Sequence, residues 1–185
     1  DDFDVVKDAD WIVEAVVERI DIKHQIYEKI FKSRKDGAIV SSNTSSIPIK
    51  VLSEHLTNEQ KKDFCITHFF NPPRYMKLVE VIPNTNTDNK YIDMLIPVLE
   101  DTLGKGVVHA NDTPNFIANR IGVYGMMVTL REAKKRNLSI EDVDGLTGSL
   151  IGHPKSATFR TADVVGLDTL AFVAKNAFDK CVDDT

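Results

Sequence analysis

An α/β fold followed by an all-helical segment is predicted by three features of the sequence. Short β-branched and aliphatic runs alternate with amphipathic stretches as far as His109, the pattern of strands and helices in a mostly parallel sheet covered on both faces. The apolar runs are nearly unbroken, as in strands buried on both sides. After Asn111-Asp112-Thr113-Pro114 no strand pattern returns before the C-terminus.

Trp11–Val17, reading WIVEAVV, is the first strand. Asp21–Arg34 carries apolar residues at 22, 26, 27, 30 and 31, the period of an amphipathic helix, and Gly37 ends it. Ala38–Ser42 (AIVSS) is a second buried strand, and Pro48 suits the first turn of a helix reaching Leu56. Asp63–Phe70 (DFCITHFF) and Lys77–Ile82 (KLVEVI) are two more strands. The run from Asn89 reads as a helix ending near Gly104, with Pro97 as a kink or break, and Gly106–Ala110 (GVVHA) as a last strand. A boundary near Asp112 divides the chain into 1–111 and a helical 112–185, where a Thr-Pro start opens about six turns of helix. The sequence opens DDFDVVKDAD without a Met and enters a strand almost at once, so a piece of a larger protein is expected, with the helical part also incomplete.

At 185 residues the chain holds one domain with a sizeable core, or a domain and part of a second. Its 42% hydrophobic and 28% charged residues are ordinary for a globular protein, and a net charge of -5 argues against broad nucleic-acid or anionic-membrane binding. Cys65 and Cys181 form no CxxC pattern, which supports neither a zinc site nor a disulfide framework and suits a reducing cytoplasm. No apolar run approaches the roughly 18 residues of a membrane span. A dinucleotide-binding fold carries G-x-G-x-x-G after its first strand. Here only GKGVVH at 104–109 comes near it, without the third glycine, so a phosphate-binding half would lie before Asp1.

Three segments end predicted strands in polar residues: VVER at 16–19, SSNTSS at 41–46 and THFFNP at 67–72. Ligands of open α/β sheets bind at the carboxyl ends of strands, where these loops would meet. SSNTSS supplies hydroxyls and amides, and reads equally as a turn and N-cap for the Pro48 helix. His68 taken alone reads as a satisfied core histidine. Glu80, inside L-V-E-V-I and twelve residues after His68, is harder to place, because glutamate is seldom buried without a partner. Together they suit a base whose imidazole takes a proton while the carboxylate fixes its tautomer. Asn119 lies among Phe116, Ile117 and Ile121, as a helix-packing amide or a substrate contact. Glu14 and Glu18 point to one side of the first strand; Glu18, nearer its carboxyl end, is the ligand candidate and Glu14 is read as structural.

VEAVVERIDIK, SSNTSS, HFFNPPRYMKLVEVIP and DTPNFIANR, in this order and covering nearly the whole chain, closely resemble the 3-hydroxyacyl-CoA dehydrogenase family. The tail GHPKSATFRTADVVGLDTL is similar to a bacterial subgroup in which the dehydrogenase is fused to an enoyl-CoA hydratase-like segment. The resemblance implies a Rossmann-like domain, here the C-terminal part of the doubly wound sheet, followed by a helical domain that forms a homodimer. It implies NAD as cofactor, an acyl-CoA substrate and a place in fatty-acid β-oxidation. By motif match His68 is the general base, Glu80 its orienting carboxylate, and Ser45 a hydrogen-bond donor to the substrate oxygen. Asn119 helps hold the substrate, while Glu18, Lys23, Asn71 and Ser45 match cofactor-contacting positions, with Lys23 also near the CoA side. The chain departs from the pattern in lacking the glycine-rich loop, in Asn115 where many members have glycine, and in Pro154-Lys155-Ser156-Ala157 where many have Pro-Met-Gly-Pro. The isolated chain is therefore expected to lack turnover. Two rival readings remain at this stage: a sugar-acid dehydrogenase of the lambda-crystallin or gulonate type, which shares H..NPP and LVE.VP, and a non-catalytic scaffold domain.

Overall fold

The computed structural model describes residues 3–181. The chain divides into two compact units, Asp1–Phe116 and Ile117–Thr185, so the division falls a few residues beyond the boundary expected near Asp112.

The first unit is a five-stranded sheet in the order β1-β2-β3-β4-β5. Its strands are β1 (Trp11–Glu14), β2 (Ile39–Ser42), β3 (Phe64–Phe69), β4 (Leu78–Pro83) and β5 (Gly106–His109). All neighbours run parallel except β3 and β4, which are antiparallel. β1 stops three residues short of the expected Val17 because the Glu14 carboxylate accepts the Val16 N–H at 2.7 Å and turns the chain out of the sheet. Glu18 therefore lies in the loop after β1, not on the strand.

The helices follow from local chemistry. In α1 (Ile20–Ser33) the buried residues are Lys23, Tyr27 and Ile30, a single stripe at i, i+4 and i+7. The helix expected from Pro48 to Leu56 is one turn, α2 (Ile49–Leu52), closed by Ser53, whose hydroxyl donates back to the Ile49 carbonyl at 2.8 Å. Its N-terminus is capped by neither Ser45 nor Ser46. Asp112 supplies the cap, accepting the Ile49 N–H at 2.9 Å. A Thr57–Gln60 capping box opens α3 (Asn58–Lys62). After α4 (Asn89–Pro97) the chain continues as a π-helical turn, Val98–Thr102, because Pro97 has no N–H to extend the α ladder.

Side chains alternate across the sheet, giving it two apolar faces. Ile12, Val40, Phe64, Ile66 and Ile82 pack with Tyr27, Ile30, Ile49 and Leu52 on one face. Ile39, Cys65, Val79 and Val81 pack with Ile92, Leu95 and Leu99 on the other. The second face also carries a cross-strand polar ladder, Trp11 Nε1 donating to Ser41 Oγ at 2.9 Å and Ser41 Oγ lying 2.8 Å from Thr67 Oγ1.

The second unit holds α5 (Ala118–Arg136), α6 (Ile140–Thr147), a 3-10 turn at Ser149–Ile151, α7 (Phe159–Val165) and α8 (Leu167–Lys180). α5 begins five residues after Thr113 rather than at it, since Asn115 (φ 60°) and Phe116 (φ 51°) are left-handed and interrupt any helix there. Asn137, also left-handed at φ 51°, ends α5, and a Ser139–Asp142 capping box starts α6. No helix among the described residues is long and apolar enough to cross a membrane.

Candidate active site

The antiparallel register of β3 and β4 sets His68 directly opposite Glu80, and cross-strand partners lie on the same face of a sheet. His68 Nδ1 is 2.7 Å from Glu80 Oε2, with both side chains at most 3% exposed. An ionised carboxylate only accepts, so Nδ1 carries the proton and donates it to Glu80. Nε2 is then the acceptor nitrogen, and Ser45 Oγ lies 3.0 Å from it. Phe70 and Phe116 flank the imidazole, with ring centroids 4.4 and 5.5 Å away. Twelve residues separate His68 and Glu80, and the strand-to-strand connection between them converts that separation into contact.

Ser45 is held by the loop that follows β2. Glu18 Oε1 accepts from the Ser45 N–H at 3.1 Å, the Ser46 N–H at 3.1 Å, the Ser46 hydroxyl at 3.0 Å and the Thr44 hydroxyl. Burial would raise the Glu18 carboxyl, but the Thr44 hydroxyl, the Lys23 charge and the Ser46 hydroxyl outweigh it and hold the group below its ordinary value. Asn43 ties the ends of β2 and β3 together, its side-chain oxygen accepting the Phe69 N–H at 2.8 Å.

Beneath this loop is a second buried constellation. Lys23 Nζ lies 2.8 Å from Glu14 Oε1 and 3.3 Å from Glu18 Oε2, and its side chain is 1% exposed. Tyr27 and Ser42 hydroxyls each donate to Glu14 Oε2 at 2.7 Å. Burial, reinforced by the Glu14 charge, pushes the Tyr27 hydroxyl well above its ordinary value, so it is a donor throughout the physiological range.

The structure thus brings His68, Glu80, Ser45, Glu18 and Lys23 into one connected set. Lys23 is interior, with its ammonium turned to the two glutamates. Asn71 is exposed just beyond β3, joined to Pro72 by a cis peptide bond. Asn119 stands in the first turn of α5, in the second unit. Sequence reasoning missed Asn43, Thr44 and Tyr27 as partners, and read Glu14 apart from Lys23. A signal existed for the last: Lys23 occupies the 23-27-30 stripe that α1 buries. A concavity of about 680 Å³ in the first unit is lined by His24, Phe31, His55 and Tyr27, the donor to Glu14, but by none of His68, Glu80, Ser45, Glu18 and Lys23.

Comparison with known proteins identifies the family. Residues 1–113 match the family model described as 3-hydroxyacyl-CoA dehydrogenase, NAD binding domain, and residues 116–184 match 3-hydroxyacyl-CoA dehydrogenase, C-terminal domain. A probable 3-hydroxyacyl-CoA dehydrogenase of Bacillus subtilis is 52% identical over 184 residues, covering 100% of this chain and 23% of that protein. One of the same description from Deinococcus radiodurans is 46% identical over 184 residues, covering 100% of this chain and 53% of its own length. The chain therefore spans about half or less of these relatives. Among solved structures, (S)-3-hydroxybutyryl-CoA dehydrogenase from Ralstonia eutropha superimposes with a TM-score of 0.84 at 29% identity, over 97% of this chain and 62% of that one. With both family models matched in order along its length, the chain belongs to the 3-hydroxyacyl-CoA dehydrogenase family.

Proposed function

We propose that the protein carrying this chain oxidises the 3-hydroxyl of an L-3-hydroxyacyl-CoA to the ketone, with NAD as hydride acceptor, in fatty-acid β-oxidation. The observation that carries this reading is the His68–Glu80 pair, whose acceptor nitrogen Nε2 is turned to a hydroxyl, that of Ser45.

The residues present suit the nicotinamide end of a dinucleotide. The loop after β2 offers hydroxyls and amides and no bulky side chain, and Glu18, hydrogen-bonded to that loop, keeps a third of its side chain exposed. Glu18, Ser45 and Asn71 would hold that end, and Lys23, being interior, would contribute through Glu18. When bound, NAD supplies the acceptor for the hydride leaving the substrate carbon. His68 Nε2 takes the hydroxyl proton, and Glu80 stabilises the resulting imidazolium through Nδ1. The Ser45 hydroxyl, which meets Nε2 in this structure, donates to the substrate oxygen. On the motif match alone, Asn119 is assigned to hold the substrate. We further assign a cytoplasmic homodimer joined through the helical unit, which exposes Ile121, Tyr124, Leu150, Phe172 and Phe178.

The test is NADH oxidation with acetoacetyl-CoA by the protein carrying this chain, beside its His68→Ala variant. Turnover is expected, with a loss of about 10²–10⁴ in the variant. Turnover of a sugar acid in place of the acyl-CoA, or NADH binding without turnover, would replace this reading with the gulonate-type dehydrogenase or the scaffold.

A further inference from the structure

Glu14 and Lys23 take no part in the proton transfer, yet both are withdrawn from water, which is tolerated only when each charge finds several partners. Glu14 has four donors. Lys23 Nζ (2.8 Å) and the Val16 N–H (2.7 Å) meet Oε1, and the Tyr27 and Ser42 hydroxyls (both 2.7 Å) meet Oε2. A carboxylate serving only to close β1 would need neither the cation nor the second carboxylate the cation touches.

The constellation reaches the site by two routes. The Glu14 backbone carbonyl accepts the Asn43 N–H at 2.7 Å, and Asn43 in turn accepts the N–H of Phe69, the residue after His68. Lys23 lies against Glu18, which gathers the Ser45 and Ser46 N–H groups and so fixes the backbone that presents Ser45 Oγ to His68 Nε2. We infer that Glu14 is a positioning residue. It fixes the Lys23 ammonium, and through Lys23 and Glu18 it sets where the Ser45 hydroxyl meets the imidazole. This rests on the dehydrogenase reading for its consequence in turnover, and on the geometry alone for the coupling.

Glu14→Gln keeps the shape but removes the charge facing Lys23 and turns one acceptor into a donor. Tyr27→Phe removes one hydrogen bond from the far oxygen and leaves the charge. Both are made in the chain, and the amide signals of Ser45 and Ser46 and the imidazole nitrogens of His68 are followed by NMR, with thermal melts alongside. In the protein carrying the chain, kcat with acetoacetyl-CoA and NADH is measured in parallel. The expected result is displacement of all three residues' signals in Glu14→Gln, smaller displacement in the same direction in Tyr27→Phe, and a kcat loss of about 10- to 100-fold in Glu14→Gln. Folded variants that melt lower but leave the Ser45, Ser46 and His68 signals at their parent positions would overturn the inference. If Glu14→Gln fails to fold, Tyr27→Phe decides by the same signals. Displaced signals in a protein whose parent form does not turn over acyl-CoA would uphold the coupling while removing the dehydrogenase reading.

Discussion

Glu14 and Glu80 both lie inside the same face of the sheet, at 3% and 0% exposure, and they are partnered in different ways. Glu14 faces a fixed positive charge and three neutral donors. Glu80 faces an imidazole, whose charge changes with a single proton and whose far nitrogen meets a hydroxyl. The first arrangement gathers four donors onto one carboxylate. The second sets its carboxylate against an imidazole, a group able to carry one proton or two. Two glutamates in similar surroundings are thus given separate work by their neighbours.

That contrast is broken most severely by removing the fixed charge. Lys23→Met leaves Glu14 buried opposite no cation, and a loss of about 3–5 kcal/mol is expected in urea unfolding; Glu14→Gln with Lys23→Met should recover much of it. Substitutions at the dyad should be unequal. His68→Leu removes the Nδ1–H donor from the buried Glu80 carboxylate, whereas Glu80→Leu leaves an imidazole able to exist uncharged, so the urea midpoint should fall further in His68→Leu. Equal midpoints would argue that Glu80 is not stabilised by His68.

A smaller effect is expected at Glu18, which is partly exposed. Its carboxyl lies below the ordinary 4.5 in the fold, so the unfolded chain takes up the proton first as pH falls. Its contribution is therefore present above about 4.5 and lost as pH drops through the folded value. Glu18→Gln should flatten the decline of stability as pH falls below about 4.5, and an unchanged acid limb would contradict the loop contacts. Smallest of all is Ser41→Ala on the opposite face, where the Trp11–Ser41–Thr67 ladder should be worth about 1 kcal/mol with no effect on turnover.

The sheet and the dyad were legible because they are written in patterns of near neighbours. Glu80 stands out in an apolar run, and the strand periods on either side of Asn71-Pro72 bring it opposite His68. What escaped depends on distant or single-residue events. Asp112 caps α2 from 63 residues away, which no local motif announces. The early end of β1 hangs on one side chain, Glu14, bonding its own neighbour's N–H. The delayed start of α5 hangs on two left-handed residues, where Asn115 is tolerable but Phe116 is rare. Lys23 was read as a ligand contact on the motif match, and its burial, unusual for lysine, is explained by Glu14 and Glu18 together.

The pairing of a His68 base with its orienting Glu80 is tested most directly by the turnover of Glu80→Gln with acetoacetyl-CoA and NADH in the protein carrying this chain, alongside NADH binding. A fall in kcat of about 10²-fold or more with NADH affinity nearly unchanged is predicted. Parent-level turnover in the folded variant would contradict it, and would make the buried pair a matter of packing alone.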